Sequence, residues 1–350
     1  MTGTAGAASA LAVRLPNWLG DTILARRAVD SLAARFADRR LVLVARPWAS
    51  ELFAATWPGA EWLEAPTSGG RWLSAVPALR RAGVEMCVVF PPSLSARLHA
   101  FAAGVPRRLG LGGEMGDFLL TARAPRGARG LRHLEDEYLD VARVAGASAL
   151  AARALVAPER GLAAARALLA EALGTAPRPF LAVAPGARYG PAKRWPAERF
   201  AEAARLWAGP RGADVVVLGG LEDVAAAASV VAASPRGPGR TVSLAGRTDV
   251  AGLAGILALA GGALSNDSGT AHLAAALGRP TVAIFGSTDP RWTGPRGPAV
   301  RLLAAPPACA PCYRRRCGIP DRYLCLRALS AEAAAETLDE LTATPAASTP

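Results

Sequence analysis

The chain has 350 residues, which is too long for one compact domain and about right for two domains of ordinary size. Hydrophobic residues make up 51% and charged residues 19%, so each half can bury a core and wholesale disorder is excluded. The 40 basic and 28 acidic residues give a net charge of +12, which favours acidic partners: nucleic acid, an anionic membrane surface or phosphorylated substrates.

The chain starts with a β-α-β pattern. Residues 10–15 are a short apolar run typical of a buried strand, and 16–21 have the composition of a turn. Apolar residues recur at helical spacing over 22–36, and a second apolar run follows at 40–45. This order predicts parallel strands joined by a right-handed crossover.

The rest of the first half is less regular. Strands are predicted at 86–90 and near 107–111, with helices between the strands. The stretch 97–132 is rich in Gly, Pro and Arg and is otherwise predicted as loops. Helical patterns follow at 134–145 and 151–173.

The second half restarts after Gly174–Pro179, a linker signal. Strands and helices then alternate. Strands are predicted at 180–184, 214–218, 241–244, 263–265 and 280–285, and helices at 197–208, from about 222, at 250–260, 271–277 and 331–341. The pattern predicts two doubly wound α/β domains, 1–175 and 176–328, followed by a final helix at 329–344.

Targeting signals are weak. The first ten residues have neither a basic n-region nor a long apolar h-region. The longest notable uncharged stretch, between Asp249 and Asp267, is shorter than a membrane span and carries two glycines. We therefore expect a cytoplasmic protein.

Three loops stand out because each follows a predicted strand and precedes a predicted helix, where α/β sheets bind their ligands. They are Asn17–Asp21, Pro185–Pro196 and Ser265–His272. The third loop leads into a helix whose backbone N–H groups and dipole favour an anion. It matches neither G-x-G-x-x-G nor a P-loop, which disfavours a dinucleotide-dependent dehydrogenase and a kinase.

Each loop also has an ordinary structural explanation. Asp21 is either a helix cap, worth roughly 1 kcal/mol, or a general base. Asn, Asp and Ser in the third loop are good caps, and His272 on such a helix is either structural or part of a site. The basic second loop is either solvated or a phosphate site.

Lysine is rare in this chain. Every basic residue except Lys193 is arginine, there are only two asparagines, Asn17 and Asn266, and glutamine is absent. An ammonium is a compact point charge that arginine does not always replace on a phosphate. The lone lysine therefore indicates a diphosphate contact.

Four of the five cysteines form a C-x2-C-x4-C-x7-C group at Cys309, Cys312, Cys317 and Cys325. The odd total in a chain without secretion signals argues against a disulfide framework. The spacing allows a metal site but is not the usual paired-knuckle spacing, so thiols without metal are the alternative that we favour.

At these residues the chain resembles the bacterial lipopolysaccharide heptosyltransferases of glycosyltransferase family 9, over nearly its full length. The resemblance rests on Pro16–Asp21, Pro185–Pro196 and Ser265–Ala276, the last running on to Pro290. The Pro-Asn-Trp and Tyr-Gly-Pro-Ala-Lys forms, and the cysteine-bearing tail, are similar to type II members rather than type I.

The resemblance implies the GT-B fold: two Rossmann-like domains facing across a cleft, with the C-terminal helix at 329–344 packing back on the N-terminal domain. Residues 1–175 would bind the acceptor and 176–328 the ADP-heptose donor. It further implies an inverting transfer of L-glycero-D-manno-heptose from ADP-heptose to the first heptose of the inner core on Kdo2-lipid A, without a cofactor. No metal-chelating Asp-x-Asp motif is present. The enzyme would be cytoplasmic and peripheral at the inner membrane.

Site roles follow from the same resemblance. Asp21 would be the base. Lys193, Asp267, Ser268, Gly269 and His272 would bind the donor diphosphate and sugar.

The nucleotide would contact Gly186, Gly219 and Glu222. Asn17 and the arginines Arg126, Arg129 and Arg132 would bind the acceptor and be drawn to the anionic membrane surface.

Two other classes remain open. One is a related family 9 transferase with another acceptor, either a type I-like enzyme or a protein heptosyltransferase. The other is a non-catalytic nucleic-acid-binding protein, suggested by charge alone. The basic residues are spread evenly along the chain and no helix has a recognition-type basic face, which disfavours nucleic acid.

Overall fold

The computed structural model describes residues 9–65, 75–174, 178–234 and 238–343. The chain divides into two compact units, Met1–Arg153 and Ala154–Pro350. Each unit contains a sheet of six parallel strands with helices packed on it.

The first unit is built on a sheet of order β3-β2-β1-β4-β5-β6. Its strands are β1 (Ala10–Arg14), β2 (Arg40–Ala45), β3 (Glu61–Glu64), β4 (Val84–Val89), β5 (Arg107–Leu111) and β6 (Ala122–Ala124). Its helices are α1 (Leu19–Arg35), α2 (Pro47–Phe53), α3 (Ala75–Arg81), α4 (Leu94–Ala102) and α5 (Leu134–Val144). All five residues of β1 are buried, as expected for a central strand of a parallel sheet covered on both faces.

The second unit repeats this strand order, with β12-β11-β10-β7-β8-β9 in its sheet. The strands are β7 (Phe180–Ala184), β8 (Asp214–Val217), β9 (Thr241–Ser243), β10 (Gly262–Asn266), β11 (Thr281–Phe285) and β12 (Val300–Ala304). The helices are α6 (Glu159–Leu173), α7 (Ala197–Ala208), α8 (Val224–Ala233), α9 (Val250–Leu259), α10 (Gly269–Ala276), α11 (Pro290–Thr293), α12 (Leu324–Arg327) and α13 (Ala331–Ala343).

Both sheets are doubly wound, so the chain reverses its direction of strand addition once in each unit. The reversal lies between β1 and β4 in the first sheet and between β7 and β10 in the second. Ligands of such sheets bind outside the carboxyl ends of the strands at this point. The three loops singled out in the sequence follow β1, β7 and β10, so all three lie at a reversal point.

The prediction of two doubly wound α/β domains is confirmed. The strand expected near 107–111 is present, but the prediction of loops for the rest of 97–132 is wrong. The stretch also contains the end of α4, a single 3-10 turn at Asp117–Leu119 and the edge strand β6. The edge strands β3, β6 and β12 were missed because each carries exposed charged residues, so no continuous apolar run marks them in the sequence.

The predicted domain boundary at residue 175 is wrong, because α6 belongs to the second unit. The helix packs along α9 at two glycines: a Cβ on Gly161 would lie 2.1 Å from the carbonyl oxygen of Ala251, and one on Gly255 2.1 Å from that of Gly161. The Leu155 N–H also donates to the Ala276 carbonyl at 2.7 Å. The linker-like stretch 174–179 therefore falls within the second unit and does not mark the boundary between the units.

The final helix is also placed differently from the expectation that it packs on the N-terminal domain. Helix α13 packs on α7 and β11 of the second unit. Its apolar face belongs to the same core as Phe200 and Trp207, and Trp207 Nε1 donates to Thr342 Oγ1 at 3.2 Å. Because this face is buried on α7, α13 belongs to the second unit. Among the described helices, none has both the length and the apolar character needed to cross a bilayer.

Candidate active site

Asp21 lies just beyond the carboxyl end of β1, in the first turn of α1. The residue that caps α1 is Trp18, whose side chain makes no capping hydrogen bond, and Asp21 is the third residue of the helix. Asp21 is therefore not the N-cap residue of α1, and the helix-cap explanation is wrong. Burial raises the pKa of the Tyr138 phenol in α5, and the negative charge of Asp21 raises it further.

Asn17 is exposed and its side-chain oxygen accepts a hydrogen bond from Arg14 Nη2 at 2.7 Å. Arg14 is 4% exposed, and burial lowers the pKa of its guanidinium to about 10. The first loop is thus tied back to the strand that it follows, which fixes the start of the helix that carries Asp21.

The predicted acceptor arginines are more engaged within the chain than the sequence indicates. Arg126 donates to Glu114 Oε1, and its Nε lies 4.0 Å from Oε2 of the fully buried Glu137. Burial raises the pKa of the Glu137 carboxyl, and the positive charge of Arg126 only partly offsets this. Arg132 donates to Asp140 and Arg129 is exposed. The charge of this stretch is therefore partly compensated by acids of α5.

Lys193 ends a short 3-10 turn in the loop after β7, and its ammonium contacts the loop after β10. Nζ donates to Asp267 Oδ2 at 2.5 Å, and Thr288 Oγ1 donates to the same oxygen at 2.5 Å. The Lys193 ammonium also lies 5.0 Å from the centre of the Tyr189 ring. The Lys193 side chain is 12% exposed and that of Asp267 4%, so the pair is held away from bulk water.

The two loops of the second unit are also joined by Asn266. Its Oδ1 accepts from the Trp195 N–H at 3.0 Å, and its Nδ2 donates to the Pro185 carbonyl at 2.7 Å. Asn266 is fully buried, and only a side chain with one donor and one acceptor at this length can satisfy both ends of the loop. This explains why one of the two asparagines stands here.

Helix α10 begins directly beside the lysine. Ser268 is its cap residue and has extended backbone dihedrals, and Gly269 is its first helical residue. The first-turn N–H groups of a helix have no acceptor within the helix and therefore favour an anion. His272, in the next turn, is buried. The structure thus brings Lys193, Asp267, Ser268, Gly269 and His272 together at one edge of the second sheet.

The predicted nucleotide residues surround a carboxylate that the sequence analysis missed. A Cβ on Gly186 would lie 2.2 Å from Cγ of Asp223, and one on Gly219 would lie 2.6 Å from its Cβ. Asp223 is 9% exposed, accepts from the Gly220 N–H at 3.2 Å, and its pKa is raised by burial. Glu222 is half exposed and lies 3.8 Å from Arg188.

Asp223 is therefore the acid that lies against Gly186 and Gly219, whereas Glu222 lies against Gly220, where a Cβ would be 2.6 Å from its Oε2. Two adjacent acids follow the Gly219-Gly220 turn, and their order in the sequence does not reveal which of them faces inward. The sequence feature that could have pointed to Asp223 is Gly186, because the absence of a side chain there makes room for the Asp223 carboxylate.

In the part of the chain that the structure describes, no group of three or more His, Cys, Asp or Glu has an arrangement suited to a metal ion, the four clustered cysteines included. Cys317 Sγ accepts from the Tyr323 N–H at 3.3 Å, and such backbone hydrogen bonds lower the pKa of this thiol. Burial raises the pKa of Cys325, and the neighbouring cysteines raise it further.

Comparison with known proteins places the chain among sugar transferases. Residues 72–321 match the model of the family described as glycosyltransferase family 9 (heptosyltransferase). The chain is 28% identical to lipopolysaccharide heptosyltransferase 2 of Escherichia coli K12, over 82% of this chain and 86% of that protein.

Solved structures agree with the sequence match. The structure of the E. coli ADP-heptose heptosyltransferase II covers 95% of this chain and 98% of its own, with a TM-score of 0.78 and 25% identity. A family 9 glycosyltransferase of Veillonella parvula covers 97% and 99%, with a TM-score of 0.80 and 20% identity. The pair of six-stranded parallel sheets is that of the GT-B fold.

Proposed function

The chain belongs to glycosyltransferase family 9, and from this premise we propose that it transfers L-glycero-D-manno-heptose from ADP-heptose to the first heptose of the lipopolysaccharide inner core. One observation carries the proposal. The single lysine, a buried aspartate and the amino end of α10 meet at the carboxyl edge of the second sheet. That group provides a cation and backbone donors for a diphosphate.

The donor site lies in the second unit. Lys193 and the N–H groups around Ser268 and Gly269 would bind the diphosphate, and Asp267 would hold the Lys193 ammonium and heptose hydroxyls, with His272 nearby. The nucleotide would lie along Gly186 and Gly219. Glu222 and Asp223 would accept from the ribose hydroxyls, because the Asp223 carboxylate lies against Gly186 and Gly219 and the Glu222 carboxylate lies against Gly220.

The reaction requires one proton transfer and one displacement. Asp21 would take the proton of the acceptor hydroxyl as its oxygen bonds to the anomeric carbon, and the bond from that carbon to the β-phosphate oxygen would break on the opposite face. The electron pair leaves with ADP, and the anomeric configuration inverts. Lys193 and the α10 amides would stabilise the charge that grows on the β-phosphate, in a reaction that uses no cofactor.

The acceptor site would lie in the first unit, with Asn17, Arg126, Arg129 and Arg132 as its contacts. An acceptor attached to lipid A is anchored in the inner membrane, so the enzyme would work as a peripheral protein at its cytoplasmic face.

The test is ADP release from ADP-heptose, with and without the mono-heptosylated acceptor. Asp21→Asn should lower kcat by on the order of 10²–10⁴ while ADP affinity is unchanged, because the diphosphate contacts belong to the other unit. Near-normal turnover of Asp21→Asn would show that Asp21 is not the base. Activity only with the unheptosylated core, or only with a protein acceptor, would instead identify one of the alternative family 9 transferases.

A further inference from the structure

Four large apolar side chains are exposed at the carboxyl edge of the first sheet. Met115 is 78% exposed, Phe118 80%, Leu131 78% and Leu94 40%. We propose that this group, the edge patch, docks the enzyme on an anionic lipid bilayer, with the apolar side chains entering the headgroup region and neighbouring arginines contacting lipid phosphates. The inference rests on the proposed function, since a lipid-anchored acceptor is what would bring the enzyme to a membrane.

Hydrogen bonds from the buried Arg97 side chain fix the loop that carries Met115 and Phe118. This side chain is 1% exposed, and its Nη1 donates to Asp117 Oδ1 at 2.7 Å and to the carbonyls of Glu114 and Met115 at 3.3 Å. Its Nη2 donates to the Leu111 carbonyl at 2.6 Å. A buried arginine thus fixes the conformation of this loop. Its apolar side chains are exposed in a loop of defined conformation.

The members of the edge patch come from the first turn of α4 and from two loops, the loop after β5 and the loop after β6. A Cβ on Gly116, which has a φ of +94°, would lie 2.7 Å from Cδ1 of Leu94, so Leu94 packs against the loop that carries Met115. The Arg126–Glu114 ion pair joins that loop to the loop that carries Leu131. Contiguous exposed apolar surface of this kind marks an interaction site more often than scattered single residues do.

The charge around the edge patch identifies its partner. Residues 112–132 contain four arginines and two acids. Arg123 is 54% exposed and Arg132 41%, and Arg129 is exposed. Interfacial binding to anionic lipids strengthens with the apolar area that enters the headgroup region and with each Lys or Arg near the surface.

Two other occupants fit less well. A second copy of the chain would bring these arginines against their own counterparts, and nucleic acid would leave Met115 and Leu131 without an apolar environment. The edge patch also lies at the same sheet edge as Asp21, so docking would present a membrane-anchored sugar to the proposed base.

The experiment is flotation of the full chain with vesicles of phosphatidylcholine alone or with phosphatidylglycerol, at low and high salt. We expect binding to the anionic vesicles only, weakened by salt. Met115→Ser/Phe118→Ser should lower the partition coefficient about tenfold, and Arg123→Ser should reduce the salt dependence. Val156→Ser, which changes a side chain that is 74% exposed in the second unit, is the matched control and should bind like the wild type.

Equal binding of wild type and Met115→Ser/Phe118→Ser would overturn the proposal. So would binding to duplex DNA with no binding to vesicles, or a dimer that the double substitution dissociates. ADP release with an acyl-free, water-soluble acceptor tests the proposed function separately. That activity should be unchanged in the double variant, and its absence in the wild type would count against the proposed function while vesicle binding still reported on the edge patch.

Discussion

At the scale of single residues, the polar side chains that the composition makes rare each hold a loop in place. Lys193 joins the loops after β7 and β10 through Asp267, and Asn266 joins the same loops through two backbone groups. Asn17 ties the first loop to Arg14 of β1. In each case the partner lies on another loop or on a strand, so a substitution should act on loop geometry as well as on any ligand contact.

Removal of the Lys193 ammonium should weaken ADP binding. Lys193→Ala deletes a cation at the proposed diphosphate site and leaves the nearly buried Asp267 carboxylate without this cation, with the Thr288 hydroxyl still donating to Oδ2. We expect a loss of about 1.5–3 kcal/mol in ADP binding, measured by calorimetric titration, and partial recovery in Lys193→Arg.

The double variant Lys193→Ala/Asp267→Asn separates the two roles of the lysine. It removes the uncompensated carboxylate and should restore thermal stability without restoring ADP affinity. Recovery of ADP affinity in the double variant would mean that Lys193 only neutralises Asp267 and does not contact the donor.

Truncation of Asn266 should loosen the donor loop. Asn266→Ala leaves the Trp195 N–H and the Pro185 carbonyl without their side-chain partners, at a cost of about 1–3 kcal/mol for each buried group. Chemical denaturation should therefore show a lower free energy of unfolding, and ADP affinity should fall with it. Asn17→Ala serves as the comparison, since it removes one part-buried hydrogen bond from Arg14 in the first unit and should leave ADP affinity unchanged. An equal, small effect of both substitutions would contradict the proposed loop anchor.

At the scale of secondary-structure elements, α6 and α9 pack closely against each other in the second unit. The backbones meet at Gly161 and Gly255 with no room for a methyl group on either. Helix α9 is buried along Ala251, Ala254 and Leu257. The two glycines let the backbones approach closely enough for the neighbouring apolar side chains of both helices to pack.

Gly161→Ala should therefore destabilise the protein although alanine is the better helix former. Helix propensity alone would favour alanine by up to about 1 kcal/mol, whereas forcing a methyl group into a closed contact costs typically 1–3 kcal/mol or more. We expect a net loss in the free energy of unfolding by urea denaturation. Ala163→Gly on the exposed face of α6 calibrates the propensity contribution. A stabilised Gly161→Ala variant would show that the helices separate at little cost.

At the scale of the whole molecule, the chain contains the same doubly wound strand order twice, and each copy has its own core. The second unit includes α6 at its start and α13 at its end. Both helices bury apolar faces within that unit, so neither is a linker.

This division predicts which fragment folds. A fragment of residues 154–350 should be soluble, show cooperative thermal unfolding and bind ADP with an affinity near that of the full chain. A fragment that starts at residue 176 lacks α6, exposes the buried face of α9 and should aggregate. Circular dichroism and calorimetry with ADP check both. Equal solubility and equal ADP affinity of the two fragments would support a domain boundary at residue 175.

The sequence by itself determined the fold class and the positions of the three site loops. Strands such as 40–45 and 180–184 and the helix 197–208 were predicted at their observed ends, because buried parallel strands are continuous apolar runs and surface helices show their period locally. The same local reasoning located Asp21, Lys193 and the turn before α10, since loops between strand and helix are read from neighbouring residues alone.

Only the tertiary structure decided which side chains face one another. The sequence does not distinguish Glu222 from Asp223, because which of two adjacent acids faces inward depends on the glycine at 186, far away in the chain. Nor does it show that Arg126 contacts Glu114 and Glu137, or that α6 packs on α9. Such contacts join residues distant in the chain, and their energy comes from burial and charge compensation that exist only once both sheets are formed.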